Sequence, residues 1–207
     1  DYLPKPINGT ILLAKLVAAL ERKFLREREK ELVNELHIQA TTDQLTGIYN
    51  RRVIFEALDD AMENSKKSSD REFTTIMFDI DFFKQVNDNY GHAGGDAVLI
   101  SFAQLLQTEI SSPNIVGRVG GEEFLAILYL SPDEAKEFCV KLIHKINHNF
   151  VDFEGTEIKI SSSGGVAFST ETETSADLIS KADERLYVAK KNGRNRFTLH
   201  DSELLGE

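Results

Sequence analysis

A single cysteine, Cys139, stands in 207 residues. One thiol forms no internal disulfide, so packing alone must hold the fold, and a reducing, cytoplasmic setting is expected. Cys139 lies in a helical pattern of alternating apolar and charged residues, where the expected role is a small buried hydrophobe. Long apolar runs are also missing. The most apolar stretch, Ile11 to Leu20, is interrupted by Lys15 and falls short of the ~20 residues a membrane span needs. No leader pattern opens the chain, and no membrane insertion is expected. Positive charge is in deficit: 24 Lys and Arg against 34 Asp and Glu give a net charge of −10. Non-specific nucleic-acid binding rests on a positive surface, so no nucleic-acid partner is expected. Any phosphate must be held locally, by metal ions and a few placed cations. What remains, 41% hydrophobic and 28% charged, suits one sizeable soluble domain plus an appendage.

The appendage comes first. Leu13, Leu16, Val17, Leu20 and Phe24 form one stripe, charges crowd 21–31, and apolar residues return at Leu32 and Leu36. No proline or glycine interrupts 10–41. The pattern predicts a helix over 11–40, serving as a linker or coiled-coil arm, with a helix packed on its own domain as the competing reading. From Thr42 the texture changes. A turn-like segment leads into a helix over 53–65. Phe73 to Asp79 is β-branched and aromatic and reads as a strand. A short helix over 82–89, a glycine-rich loop over 91–96 and a helix over 97–110 follow. Two apolar runs, 115–119 and 124–129, flank Gly120-Gly121 and predict a hairpin. Ser131-Pro132-Asp133-Glu134 opens another helix with a capping box. A strand around 158–163, a helix over 175–192 stopped by Gly193, and a strand over 196–199 complete a domain over 41–200, with 201–207 as a tail. The expected class is α/β (α+β), a central, mostly antiparallel sheet built on a βαββαβ core and flanked by helices.

Two acidic turns carry the chemistry. Asp79 sits where the first strand ends, and Asp81 follows two positions on. Because the strand is ending, only Asp79 is confidently aimed into a cleft. The second turn is Gly120-Gly121-Glu122-Glu123, where the glycines permit a tight turn and close approach of a ligand. Carboxylates at a strand end and a hairpin tip suit a hard cation, and Mg²⁺ prefers one or two carboxylates plus phosphate oxygens. Metal-assisted phosphoryl chemistry is the general expectation. Either feature alone is more often a solvated turn or a helix cap. His144 and His148 stand four apart on a helix, but without a third ligand a solvated face is expected.

Arg118-Val119-Gly120-Gly121-Glu122-Glu123-Phe124 resembles the signature turn of the GGDEF family of diguanylate cyclases. Phe78 to Lys84, then Asn87-Asp88 and Tyr90-Gly91-His92 through Gly95-Asp96, resembles the family's metal- and guanine-binding stretch. Asp43-Gln44-Leu45-Thr46-Gly47 with Asn50-Arg51-Arg52 resembles its opening motif. Ala182-Asp183 to Leu186-Tyr187, Ala189-Lys190 and Gly193-Arg194-Asn195 resemble its closing one. Four motifs in order, from about Thr41 to Leu199, are far more specific than a lone Gly-Gly-Glu-Glu.

The resemblance implies a palm-like nucleotide-cyclase fold and the condensation of two GTP into cyclic di-GMP and pyrophosphate. It implies that Asp79, the Ile80 carbonyl and Glu122 hold Mg²⁺, with Mn²⁺ as a substitute. Glu122 also becomes a candidate base, weakened as one by being a metal ligand, and Glu123 could share either role. Lys84 would steady transition-state charge, and Lys190 and Arg194 would reach the β- and γ-phosphates. Gly121 would lie against substrate. Asn87 and Asp96 would read guanine, whose N1–H and N2–H₂ donors suit a carboxylate, whereas adenine presents an acceptor at N1. His92 lies between them and is a further candidate contact. Two domains must face each other, so a homodimer through these domains and the N-terminal helix is implied. The competing readings are a non-catalytic module that binds GTP or product, and a related cyclase acting on ATP.

Two departures stand out. The product-inhibition motif common in the family, Arg-x-x-Asp, is replaced by Ser111-Ser112-Pro113-Asn114. Ser163-Gly164-Gly165-Val166 carries an extra glycine where a β-branched residue is usual. Finally, Lys5-Pro6 followed by a helix resembles the end of a response-regulator receiver domain, which implies a remnant over 1–10 and an upstream receiver domain as partner.

Overall fold

The computed structural model describes residues 9–67, 72–200 and 203–206, so the Lys5-Pro6 expectation lies outside the described residues. The chain divides into two units, Asp1–Ala40 and Thr41–Glu207. The first is carried by helix α1, Gly9–Thr41, about 50 Å long at 1.5 Å per residue. Leu13, Leu16, Leu20, Phe24, Leu32 and Leu36 are exposed along it. No helix of the described residues is long and apolar enough to cross a membrane.

The second unit is built on strand β1, Thr74–Ile80, buried at all seven positions. Its neighbours are β3 (Glu123–Leu128) on one side and β6 (Ser162–Phe168) on the other, both antiparallel. Strand β2 (Ile115–Gly120), β7 (Arg196–Thr198) and β8 (Leu204–Gly206) complete a six-stranded sheet in the order β2-β3-β1-β6-β7-β8. Only β6 and β7 run parallel. Both faces are covered, and alternation along the strands serves each in turn. Ile76, Phe78 and Ile80 of β1 with Phe124 and Ala126 of β3 pack with α3 (Phe83–Glu109) and α4 (Pro132–Asn147). Met77, Leu125 and Ile127 pack with α2 (Arg51–Ser65) and α5 (Ser175–Lys191). Phe78 meets Phe102 and Phe197 edge-on, with centroids 6.4 and 5.5 Å apart, geometries that suit ring quadrupoles. The capping box at Ser131 and Glu134 forms.

Two sequence expectations are corrected. The stretch 91–96 is not a loop: α3 runs through it with a kink at Gly91 (φ 70). Gly94 and Gly95 are buried because the second limb packs tightly against Tyr90 and Asn87 of the first. Periodicity could not show this, since glycine runs read as loops. The single strand expected near 158–163 is a separate hairpin, β4 (Phe150–Phe153) with β5 (Thr156–Lys159), followed by β6. Strand β6 continues through Gly164-Gly165, and the second glycine has a packing reason. A Cβ there would collide with the Ala182 carbonyl and the Leu186 nitrogen of α5. Past residue 200, β8 pairs with β7 and Glu203 bonds to Lys136.

Candidate active site

The carboxyl end of β1 gathers the motifs. Asp79 pairs in register with Glu123 on β3, and the Ile80 N–H donates to the Glu122 carbonyl at 3.3 Å. Asp79, Ile80 and Glu122 therefore meet beside the Gly120-Gly121 turn, where Gly121 takes φ 53, a conformation natural to glycine. Asp79 is 6% exposed and is not a helix cap: its Oδ2 lies 2.7 Å from Lys190 Nζ. Lys190 reaches it because α5 lies close against β6 at Gly165. Burial raises the Asp79 pKa, and Glu122 and Asp81 add to the rise, against the lowering effect of Lys190. Glu123 is also raised, by burial and by the charges of Asp79 and Asp183. The site thus gathers three carboxylates, Asp79 buried, Glu122 half-buried and Glu123 exposed, around Lys190, and it favours uptake of positive charge.

The signature turn is braced from behind. Arg118 donates from Nε and Nη2 to the Gly121 carbonyl at 3.0 and 2.8 Å, and from Nη1 to Asp43 Oδ1 at 3.0 Å. The same Asp43 oxygen accepts the Thr46 N–H and hydroxyl. Burial alone would raise the Asp43 pKa, but these bonds and the Arg118 charge leave it lowered. The opening motif therefore positions the signature turn, a role invisible across 75 residues of sequence.

The limb of α3 before the kink carries Lys84, exposed, and Asn87, half-buried; the limb after it carries Asp96 and His92, both exposed. Asn87 Oδ1 lies against Gly95, where any Cβ would collide with it. Asn87 thus lies beside the residue that precedes Asp96, its expected partner in reading guanine. Arg194 lies on a left-handed turn (φ 63), its guanidinium 4.6 Å from the Phe82 ring centroid. Asp81, two residues past Asp79, is engaged by other partners. It accepts from Ser161 Oγ at 2.8 Å, Ser163 Oγ at 2.6 Å and Asn195 N–H at 2.9 Å. His144 and His148 stack with centroids 4.1 Å apart on α4. Among the described residues no three His, Cys, Asp or Glu side chains gather to hold a metal; the expected set has only two carboxylates and a backbone carbonyl. An all-oxygen set with a buried, pKa-raised carboxylate fits a hard divalent cation that brings further oxygen ligands with its substrate.

A mixed sheet whose acidic hairpin turn meets an acidic strand end and a basic helix end makes this an α+β domain with its charged residues gathered at one strand end. The family model "Diguanylate cyclase, GGDEF domain" matches residues 40–196, and the chain belongs to the GGDEF family. It is similar to the response regulator PleD of Caulobacter vibrioides, 34% identical over 202 residues, covering 94% of this chain and 44% of that protein. It is 32% identical to diguanylate cyclase A of Treponema denticola over 175 residues, covering 83% of this chain and 47% of that one. The chain thus spans less than half the length of these relatives. Among solved structures, the coiled coil and GGDEF domain of DgcB from Caulobacter crescentus, in complex with c-di-GMP, aligns with a TM-score of 0.79 at 27% identity. That match covers 91% of this chain and 99% of the other.

Proposed function

We propose that the chain is the catalytic part of an active diguanylate cyclase that condenses two GTP into cyclic di-GMP and pyrophosphate as a homodimer. The observation that carries the reading is the convergence of Asp79, Glu122, Lys190 and the braced signature turn at one strand end. Asn87 and Asp96 bind the guanine edge. Lys190 and Arg194 take the β- and γ-phosphates, so Lys190 exchanges one anionic partner, Asp79, for another. Lys84 adds positive charge where negative charge develops, and His92 and Gly121 lie against the nucleotide. Asp79, the Ile80 carbonyl and Glu122 would hold Mg²⁺ or Mn²⁺, which supplies electrophilic activation of the α-phosphate. Each 3′ oxygen bonds to the other nucleotide's α-phosphorus, and the anhydride bond breaks with pyrophosphate leaving. The hydroxyl proton passes to a carboxylate base, with Glu122 the candidate.

Because each domain holds one GTP, two must face each other. The exposed apolar stripe of α1 offers a seam for a second copy, and the DgcB structure pairs a coiled coil with the same domain type. The test is incubation of the chain with GTP and Mg²⁺ at high protein concentration, with Glu122→Gln in parallel, and chromatography of the nucleotides. Cyclic di-GMP from the parent alone supports the reading. GTP binding without product, even after dimerisation is forced by a fused zipper, would reveal a binding module instead.

A further inference from the structure

Four non-glycine residues among those described have left-handed backbone: Phe82 (φ 55), Glu154 (φ 51), Arg194 (φ 63) and Asn195 (φ 50). Such conformations are strained and persist only where the surroundings over-determine them. For a bulky residue such as Phe82 the outlier is pronounced. Three of the four meet at Asp81. Phe82 follows it in sequence, and Asn195 donates its N–H to Asp81 Oδ2. Asp81 is itself 5% exposed and doubly anchored, with its own N–H donated to the Ser161 carbonyl at 2.9 Å. Its oxygens accept three neutral donors, which uses most of a carboxylate's four lone-pair sites. Asp81 therefore has little capacity left for a cation.

What Asp81 does hold is the turn that carries Arg194. With that turn tied down, the Arg194 guanidinium lies over the Phe82 ring. Phe82 is half exposed and packs little core of its own. A stacked guanidinium offers its face to the ring and keeps its N–H edges for a planar or forked anion. Resting on the cyclase reading above, we infer that Asp81 and Phe82 are positioning residues for Arg194: Asp81 fixes the left-handed turn, Phe82 supplies the platform, and together they aim the guanidinium at the β- and γ-phosphates. The strain at three adjacent positions is the cost of that placement.

The consequence is selective. Loss of Asp81 or Phe82 weakens the hold on the terminal phosphates and leaves recognition of the guanosine part intact. Binding is measured by calorimetry with Mg²⁺, using 3′-deoxy-GTP, which lacks the attacking hydroxyl and cannot turn over, and GMP, which lacks the β- and γ-phosphates. For Asp81→Asn the expected result is about tenfold weaker binding of 3′-deoxy-GTP, with GMP unchanged within about twofold. Arg194→Ala shows the same selectivity, and Asp81→Asn/Arg194→Ala is no weaker than Arg194→Ala alone. Phe82→Leu, at a half-exposed site, repeats the selective loss and serves if Asp81→Asn does not fold. Unchanged triphosphate binding overturns the inference. So does an equal loss for both ligands, the mark of a merely structural role, or full additivity in the double variant. If the parent itself binds 3′-deoxy-GTP no better than GMP and makes no cyclic di-GMP, the cyclase reading falls and takes the inference with it, a failure visible without any variant.

Discussion

Replacing Arg185 by methionine tests whether a buried ion pair fixes α5 against the sheet. Arg185 is 3% exposed. Its Nη1 and Nη2 donate to Glu171 Oε2 and Oε1, both at 2.7 Å, and Nη1 also donates to the Val166 carbonyl of β6 at 2.7 Å. Methionine fills similar volume but donates nothing. It leaves a backbone carbonyl and a carboxylate short of partners. Removing one member of a buried pair costs about 3–5 kcal/mol. Glu171 retains the Phe168 N–H at 2.9 Å and Lys181 at 4.0 Å, and is itself partly exposed, so the lower end applies: about 3 kcal/mol, or a Tm drop of about 6–12 °C for a domain of this size. Burial alone would raise the Glu171 pKa, but the bonds from Arg185 and Phe168 and the Arg185 charge leave it lowered. A lowered folded pKa contributes stability above the unfolded value and loses it as pH falls through the folded one. The gap between parent and variant should therefore be full at pH 7 and shrink below about pH 4, near the ordinary glutamate value. Adding Glu171→Gln to Arg185→Met should recover part of the loss, because no unpaired charge remains. Thermal melts by circular dichroism decide it. A single variant within 2 °C of the parent (~0.5–1 kcal/mol), or a double variant no better than the single, would refute the reasoning.

Glu123→Gln should lower product formation while keeping or raising stability. The Glu123 pKa is raised by burial and by Asp79 and Asp183, so the ionised form opposes folding above its folded pKa; removing the charge should add at most about 0.5 kcal/mol after solvent screening, and a fall in Tm would contradict this. Titrating cyclic di-GMP into initial-rate assays should show no potent non-competitive inhibition, since Ser111-Ser112-Pro113-Asn114 supplies neither the arginine nor the aspartate of the usual motif. Cys139 is fully buried on α4 and burial pushes its thiol pKa up. Iodoacetamide should label it only as fast as the domain unfolds; rapid labelling of folded protein would show that α4 opens.

Much of the fold was legible because its signals are local. The β-branched and aromatic run in 73–79, the Gly-Gly turn, the Ser131 capping box and Gly193 after α5 each act within a few residues, where residue type and backbone preference dominate. The glycine-rich stretch 91–96 was misread for the same reason: local preference favours a loop, and only the packing of Gly94 and Gly95 on Tyr90 and Asn87 makes it helical. The β4–β5 hairpin and β8 were missed because short strands with mixed polarity carry almost no periodic signal.

The sequence by itself determined the family, the identity of the candidate carboxylates and cations, and the reason for expecting guanine, since these reside in residue types and their order. The tertiary structure alone decided how those residues act on one another. It pairs Lys190 with Asp79, bonds Asp81 to the Asn195 N–H, and ties Asp43 to the signature turn through Arg118. These are contacts between residues 75 to 114 positions apart in the chain. They depend on which strand edges and helix ends the sheet order brings together, and no property of a local segment encodes that.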